Sequence, residues 1–222
     1  MLSTKTILGV GWSVSSRLGG RVVDFVTILV LARTLTPADF GLTALAMTLI
    51  AIVDTVLEIP LLQALTRLKS VVESHLDTAF TLGVLRGLLV SVVVLGVAWP
   101  FSIIYHDGRL TALVSALALG PIARSLYSPA MVKFIRQMSF QQTFIAEFCG
   151  KLLASSSAIV LVYLGGGYWA IAASSIMSSV ATTLISYLLA PYRPRLSLVN
   201  LADFSTFLGW FSSAQVVSAL SW

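Results

Sequence analysis

Apolar runs long enough to cross a bilayer recur along this chain, at 12–33, 40–60, 78–100, 110–129, 141–164 and 168–190, with a seventh from about 203 to the end. A run of roughly 20 residues coiled at ~1.5 Å per residue spans the ~30 Å of hydrocarbon in a bilayer. Within lipid every backbone N–H and C=O must find its partner inside the protein, which for a chain of such segments means helices. The expected fold is therefore an all-α integral membrane protein with six complete transmembrane helices and a seventh at the C-terminus. The separators support this division, because they carry turn-forming residues: Thr36-Pro37-Ala38-Asp39, His106-Asp107-Gly108, Gly165-Gly166-Gly167, and Pro191 followed by Pro194. The most polar separator, Arg67 to Asp77, is long enough for a surface-lying amphipathic turn between the second and third spans.

Composition excludes the soluble alternatives. Hydrophobic residues make up 57% of the chain and charged ones 10%, with a mean hydropathy of +0.94, far from the mix of a water-soluble domain. The formal charge of +5 is spread singly between apolar runs instead of forming a patch, so nucleic acid is not the expected partner. A lone cysteine, Cys149, excludes a disulfide framework within the chain and any cysteine metal cluster. His75 and His106 lie too far apart to share a metal, and neither a metal nor a cofactor is expected. No small-residue cleavage site follows Lys5, so the N-terminus does not read as a removable signal peptide.

Lysine and arginine set the orientation. With the N-terminus inside, Lys5, Arg67, Lys69, Lys133, Arg136, Arg193 and Arg195 fall on the cytoplasmic side, and only Arg33 and Arg109 on the outer side. A multi-pass protein with a cytoplasmic N-terminus follows. The sequence stops at Trp222 inside an uncharged run that begins after Asp203, which reads as a fragment of a longer protein. On that reading, 1–198 is an N-terminal transmembrane lobe and 199–222 the start of a second one, as when a transporter of two six-helix halves is cut just past its middle.

Charges inside the spans mark the candidate site. Arg17, Arg21 and Asp24 stand at i, i+4 and i+7 in the first span and share one helical stripe. Each costs roughly 2.5–3.5 kcal/mol in lipid, so such residues persist where they pair or face a wet cavity. Asp24 is placed to hold Arg21, while Arg17 is within snorkelling reach of the interface. Asp54 and Glu58 form an i, i+4 acidic pair in the second span, as counter-ions to the first-span arginines or as a site of ion coupling. Arg86 and Arg124 are lone membrane charges in the third and fourth spans, each a candidate for lining a cavity; Pro121 and Pro129 flank Arg124 and give it the alternative of a kinked helix end. Glu147 and Lys151, at i, i+4 in the fifth span, most simply satisfy one another. The serines at 155–157 and Ser174, Ser175, Ser178 and Ser179 read as close helix-packing faces. Trp12, Trp99, Tyr105, Tyr168 and Trp169 read as interfacial anchors.

Four pieces in register carry a family resemblance: LARTLTPADFGL at 31–42, HLDTAFTLGVLRG at 75–87, GGGYWAIAAS at 165–174 and APYRPRLSL at 190–198. With this span spacing the chain resembles the N-terminal half of bacterial polysaccharide flippases, within the multidrug/oligosaccharidyl-lipid/polysaccharide superfamily. The resemblance implies one lobe of a two-lobe transporter fold in the bacterial inner membrane. It implies translocation of undecaprenyl-diphosphate-linked repeat units for O-antigen, capsule or exopolysaccharide synthesis. The partners implied are lipid-linked oligosaccharide, membrane lipids, and the polysaccharide polymerase and export machinery. On this reading Arg17 and Arg21 receive the diphosphate, with Asp24 holding Arg21 until cargo competes, because an arginine fork binds phosphate oxygens bidentately.

Competing functions are a drug or cation antiporter of the same superfamily, whose cavity should be acidic, and a non-transporting assembly subunit. An enzyme is disfavoured: the outer loops are short and hold no HExxH, nucleophile elbow or phosphate-binding glycine loop.

Overall fold

A computed structural model describes residues 4–201 and Phe204, apart from Lys69 and Met138, with side chains from Leu18 onward. Among the described residues all regular structure is helical. The elements are α1 (Thr4–Thr34), α2 (Pro37–Val56), α3 (Leu61–Arg67), α4 (Glu73–Ile104), α5 (Arg109–Leu117), α6 (Leu119–Ser125), a single 3-10 turn (Pro129–Met131), α7 (Val132–Arg136), α8 (Gln141–Tyr163) and α9 (Trp169–Leu189).

The junction between α1 and α2 shows how the sequence writes its turns. Thr36 caps α2 by accepting the Asp39 N–H on its hydroxyl at 3.3 Å, while the Asp39 carboxylate accepts the Thr36 N–H at 3.1 Å. Pro37 then occupies the first helical position, where its missing N–H leaves no bond unmade.

Four segments are long and apolar enough to span: Pro37–Arg67, Glu73–Ile104, Gln141–Tyr163 and Trp169–Leu189, with a fifth if the pieces Arg109–Ser125 and Pro129–Arg136, bent by 51°, make one broken span. The expectation of six complete spans is thus met only in part. The reason in α1 is charge, since its described stretch carries Arg21, Asp24 and Arg33 within a single membrane-length window. The expected seventh span, from about 203 onward, lies outside the described residues but for Phe204.

Two boundaries also differ. The expected 110–129 span is not one rod but α5, α6, the 3-10 turn and α7. Pro121 has no N–H to give the Leu117 carbonyl, and Pro129 opens a new turn. The polar stretch expected as a surface turn from Arg67 is shorter, because α3 runs up to Arg67 and α4 begins at Glu73. Pro60 separates α2 from α3 for the same reason that Pro121 breaks the fourth segment.

Breaks within an apolar slab leave backbone groups that lipid cannot satisfy, and hydroxyls on neighbouring helices take up that role. Ser91 of α4 donates to the Ala118 carbonyl at the α5/α6 break (2.7 Å), and Thr183 of α9 donates to the Ala123 carbonyl (2.7 Å). The Ser128 N–H donates to Ser186 Oγ at 3.0 Å.

Packing sorts into three apolar clusters. The first joins α2, α4 and α5 through Ala46, Val90, Val94, Leu113 and Val114. The second, at the opposite end of α4, gathers Leu65, Leu76, Met131, Val132 and Phe204. The third links α1, α8 and α9 through Leu31, Ala158 and Ala170. α8 buries the stripe Ala146, Gly150, Ala154, Ala158, spaced every four residues, against its neighbours. Gly150 is required there, since a Cβ would stand 2.2 Å from Thr182 Oγ1 of α9.

Candidate functional site

The charges of the spans fall into two groups. The first lies between α1 and α8. Lys151 Nζ donates to Asp24 Oδ2 at 2.5 Å, with the two side chains 39% and 53% exposed. Asp24 lies ten residues before the end of α1 and Lys151 ten after the start of α8, ~15 Å from each of those helix ends. Both residues therefore lie well inside their helices, away from the loops. A further bridge between the same helices runs from Thr27 Oγ1 to Ser155 Oγ at 2.6 Å.

This arrangement corrects two expected pairings. Asp24 is held by Lys151 rather than by Arg21, and Lys151 turns to Asp24 rather than to Glu147. The cause is geometric: Arg21 and Asp24 lie on the same helix and share an outward stripe, whereas Lys151 reaches across the gap from α8 and closes it. Arg21 is exposed and has no ion-pair partner among the described residues, and Glu147 is exposed as well. The Arg17 side chain lies outside the described residues.

The second group joins α2, α4 and α6. Arg86 Nη2 donates to Asp54 Oδ1 at 2.6 Å and to the Asp54 carbonyl at 2.8 Å, and its Nε donates to the Leu57 carbonyl at 2.7 Å. Arg124 Nη1 donates to the other carboxylate oxygen, Asp54 Oδ2, at 3.2 Å. One carboxylate thus holds two guanidinium groups. Its two arginines differ in setting, for Arg86 is 17% exposed and Arg124 64%.

The position of this triad follows from the breaks in the fold. α2 ends at Val56, where the Leu57 and Glu58 N–H groups still bond the Val53 and Thr55 carbonyls, but Ile59-Pro60 redirects the chain and leaves the Asp54 and Leu57 carbonyls to a side-chain donor. Arg86 supplies the missing donors, so it caps α2 and fixes the Asp54 carboxylate in one act. Gly87 lets α6 come close enough for Arg124 to reach: a Cβ there would stand 2.4 Å from Ser125 Cβ.

Asp54 and Arg124 also line a cavity of about 290 Å³, together with Thr55, Pro121, Ser175 and Ser179. A single water needs ~15 Å³ on this measure, so the cavity holds a hydrated polar group with ease. Counted from the far helix ends, Asp54 lies ~25 Å from Pro37 and Arg86 ~27 Å from Ile104, near one edge of the hydrocarbon. The expected pairing of Asp54 and Glu58 with the first-span arginines is replaced here by Arg86 and Arg124, which are accordingly not lone charges. Glu58 lies beyond the end of α2 and is exposed.

His75 accepts the Val72 N–H on Nδ1 at 3.3 Å, at the start of α4. No group of three or more metal-ligating side chains occurs among the described residues. Arg109 stands over the Tyr168 ring at 5.9 Å and pairs with Asp107 in the loop after α4. Arg109 lowers the Asp107 carboxyl below the usual range by hydrogen bonding from its side chain and backbone. Of the serine faces, Ser155 bonds across a helix contact, while Ser174 and Ser179 bond within their own helix.

Sequence reasoning missed the strap after α9. Residues 190–200 run along the start of α4: Tyr192 donates to Asp77, the Ser197 N–H to Thr81 Oγ1 at 2.9 Å, and Asn200 Nδ2 to Ser74 Oγ at 2.8 Å. The signal lies in α4 itself, where Ser74, Asp77, Thr78 and Thr81 form a polar face at helical spacing.

A family described as polysaccharide biosynthesis protein matches residues 30–221. The succinoglycan biosynthesis transport protein ExoT of Rhizobium meliloti is 25% identical over 202 residues, 87% of this chain and 40% of its own length. The lipopolysaccharide biosynthesis protein WzxC of Escherichia coli is 24% identical over 228 residues, 99% of this chain and 46% of its own. The chain thus spans less than half the length of either relative. No solved structure matches.

Proposed function

This chain belongs to the polysaccharide biosynthesis protein family, and we propose that it forms one lobe of a flippase that carries diphosphate-linked oligosaccharides across the bacterial inner membrane. A role in polysaccharide biosynthesis and transport accords with both relatives. The carrying observation is the Asp24–Lys151 pair together with Arg21, which has no ion-pair partner among the described residues, all three substantially exposed in the interior of their helices. Lipid would penalise such a face by several kcal/mol, whereas a watery chamber between two lobes accommodates it.

In this mechanism Arg17 and Arg21 meet the diphosphate inside the chamber, Lys151 keeps Asp24 from neutralising Arg21, and Arg86 and Arg124 extend the basic path towards one membrane edge. Rocking of two lobes then exposes the chamber to each leaflet in turn. The excess of Arg67, Lys133, Arg136, Arg193 and Arg195 over Arg33 and Arg109 supports a cytoplasmic position for the triad's edge, with the N-terminus on the same side. The triad of Arg86, Asp54 and Arg124 carries one net positive charge, which favours an anionic cargo over the amphipathic cations of a drug antiporter.

The test is translocation of a labelled undecaprenyl-diphosphate oligosaccharide by the full-length protein in proteoliposomes. Arg21→Ala is expected to abolish transfer while inserting normally. An Arg21→Ala protein as active as the parent overturns this assignment.

A further inference from the structure

We infer that Asp54 is a built-in stand-in for a phosphate oxyanion, holding Arg124 at the cavity wall until a diphosphate group takes its place. The inference rests on the flippase reading for the source of the anion, and on the geometry of the triad for the exchange itself.

The two halves of the triad are unequal. Arg86 makes three hydrogen bonds, two of them to backbone carbonyls at the end of α2, and is mostly buried. It cannot leave without uncapping that helix. Arg124 makes a single, longer bond at 3.2 Å and is 64% exposed, on a flexible side chain that also lines the cavity. Of the two, Arg124 alone can exchange partners at little structural cost. If it departs, Asp54 keeps Arg86 as its counter-ion, so the carboxylate is never left unpaired.

The cavity suits a diphosphate. An arginine fork donates to two phosphate oxygens at once, and Thr55, Ser175 and Ser179 also line the cavity. A diphosphate linkage carries two negative charges where the carboxylate carries one, and can therefore compete with it for the guanidinium. Once the anion moves on, Asp54 recaptures Arg124 and resets the site. Arg124 is thus the exchangeable ligand-binding group and Arg86 a positioning residue.

The experiment measures binding to the full-length protein in nanodiscs, with inorganic pyrophosphate and farnesyl diphosphate as separate probes. Asp54→Asn frees Arg124 and is expected to tighten binding by about tenfold, as removal of a competing internal partner does. Arg124→Gln is expected to lose binding, and Arg124→Lys to retain it in weakened form. Equal binding of the two probes assigns the site to a free anion, and preference for farnesyl diphosphate to a lipid-borne one; either supports exchange. Unchanged or weaker binding by a folded Asp54→Asn protein overturns it. If that variant does not fold, Arg124→Gln decides, and binding equal to the parent overturns the inference. Because the readout is binding, failure of lipid translocation in the parent protein sinks the transport reading separately.

Discussion

Lys151 and Asp24 meet at 2.5 Å, each ten residues from an end of its helix, and tie α8 to α1. Whether water reaches this pair is measurable. A double-mutant cycle with Lys151→Met and Asp24→Asn, read by thermal unfolding in detergent, should give a coupling of about 1 kcal/mol if the pair faces water. A value of about 3–5 kcal/mol, as for ions sealed from solvent, would contradict a wet chamber.

Arg86 and Arg124 share one carboxylate but not one role. Arg86→Met should destabilise the protein by about 1–3 kcal/mol, because it leaves two carbonyls at the end of α2 without a donor and Asp54 with only the longer bond to Arg124. Arg124→Gln should cost under about 1 kcal/mol, being largely solvated. Unfolding midpoints of the two variants side by side check the asymmetry.

Close approach of α4 and α6 depends on Gly87. Gly87→Ala places a Cβ 2.4 Å from Ser125 Cβ, and overpacking of this kind costs about 1–3 kcal/mol. Adding Ser125→Gly should recover part of that loss. A Gly87→Ala protein that melts with the parent would show that the helices are not in register at this point.

Tyr192 links the strap to α4 through Asp77, and burial together with that hydrogen bond raises its phenol above the ordinary value of 10. A folded-state value above the unfolded one means that the stabilisation is complete below about pH 10 and is lost as pH climbs towards the folded value. Ultraviolet titration should therefore place Tyr192 among the tyrosines that ionise later than the exposed ones, and Tyr192→Phe should lower the late amplitude by one group. A titration unaltered by the substitution would break the link.

Hydropathy locates the straight helices closely. The apolar runs at 141–164 and 168–190 emerge as α8 (Gln141–Tyr163) and α9 (Trp169–Leu189), and the Thr-Pro-Ala-Asp turn forms the expected helix cap. Each of these signals is local: a run of apolar residues, or a cap whose partners lie three residues apart. The 110–129 run shows the limit. It is an apolar run of spanning length, yet it breaks at its prolines, and hydroxyls of Ser91 and Thr183, far off in sequence, donate to carbonyls beside the breaks. Hydropathy averages over a window and is blind to partners 27 or 60 residues away.

The sequence by itself determined that this chain is helical and membrane-spanning, and which charges the spans must accommodate. It did so because burying a charge or a backbone group in lipid is costly wherever it happens, so the residue types alone carry the information. Only the tertiary structure decided the pairings: Asp24 with Lys151 rather than Arg21, and Asp54 between Arg86 and Arg124. An ion pair forms by distance across helix contacts, and those contacts are fixed by how Gly87, Gly150 and the proline breaks let neighbouring helices approach.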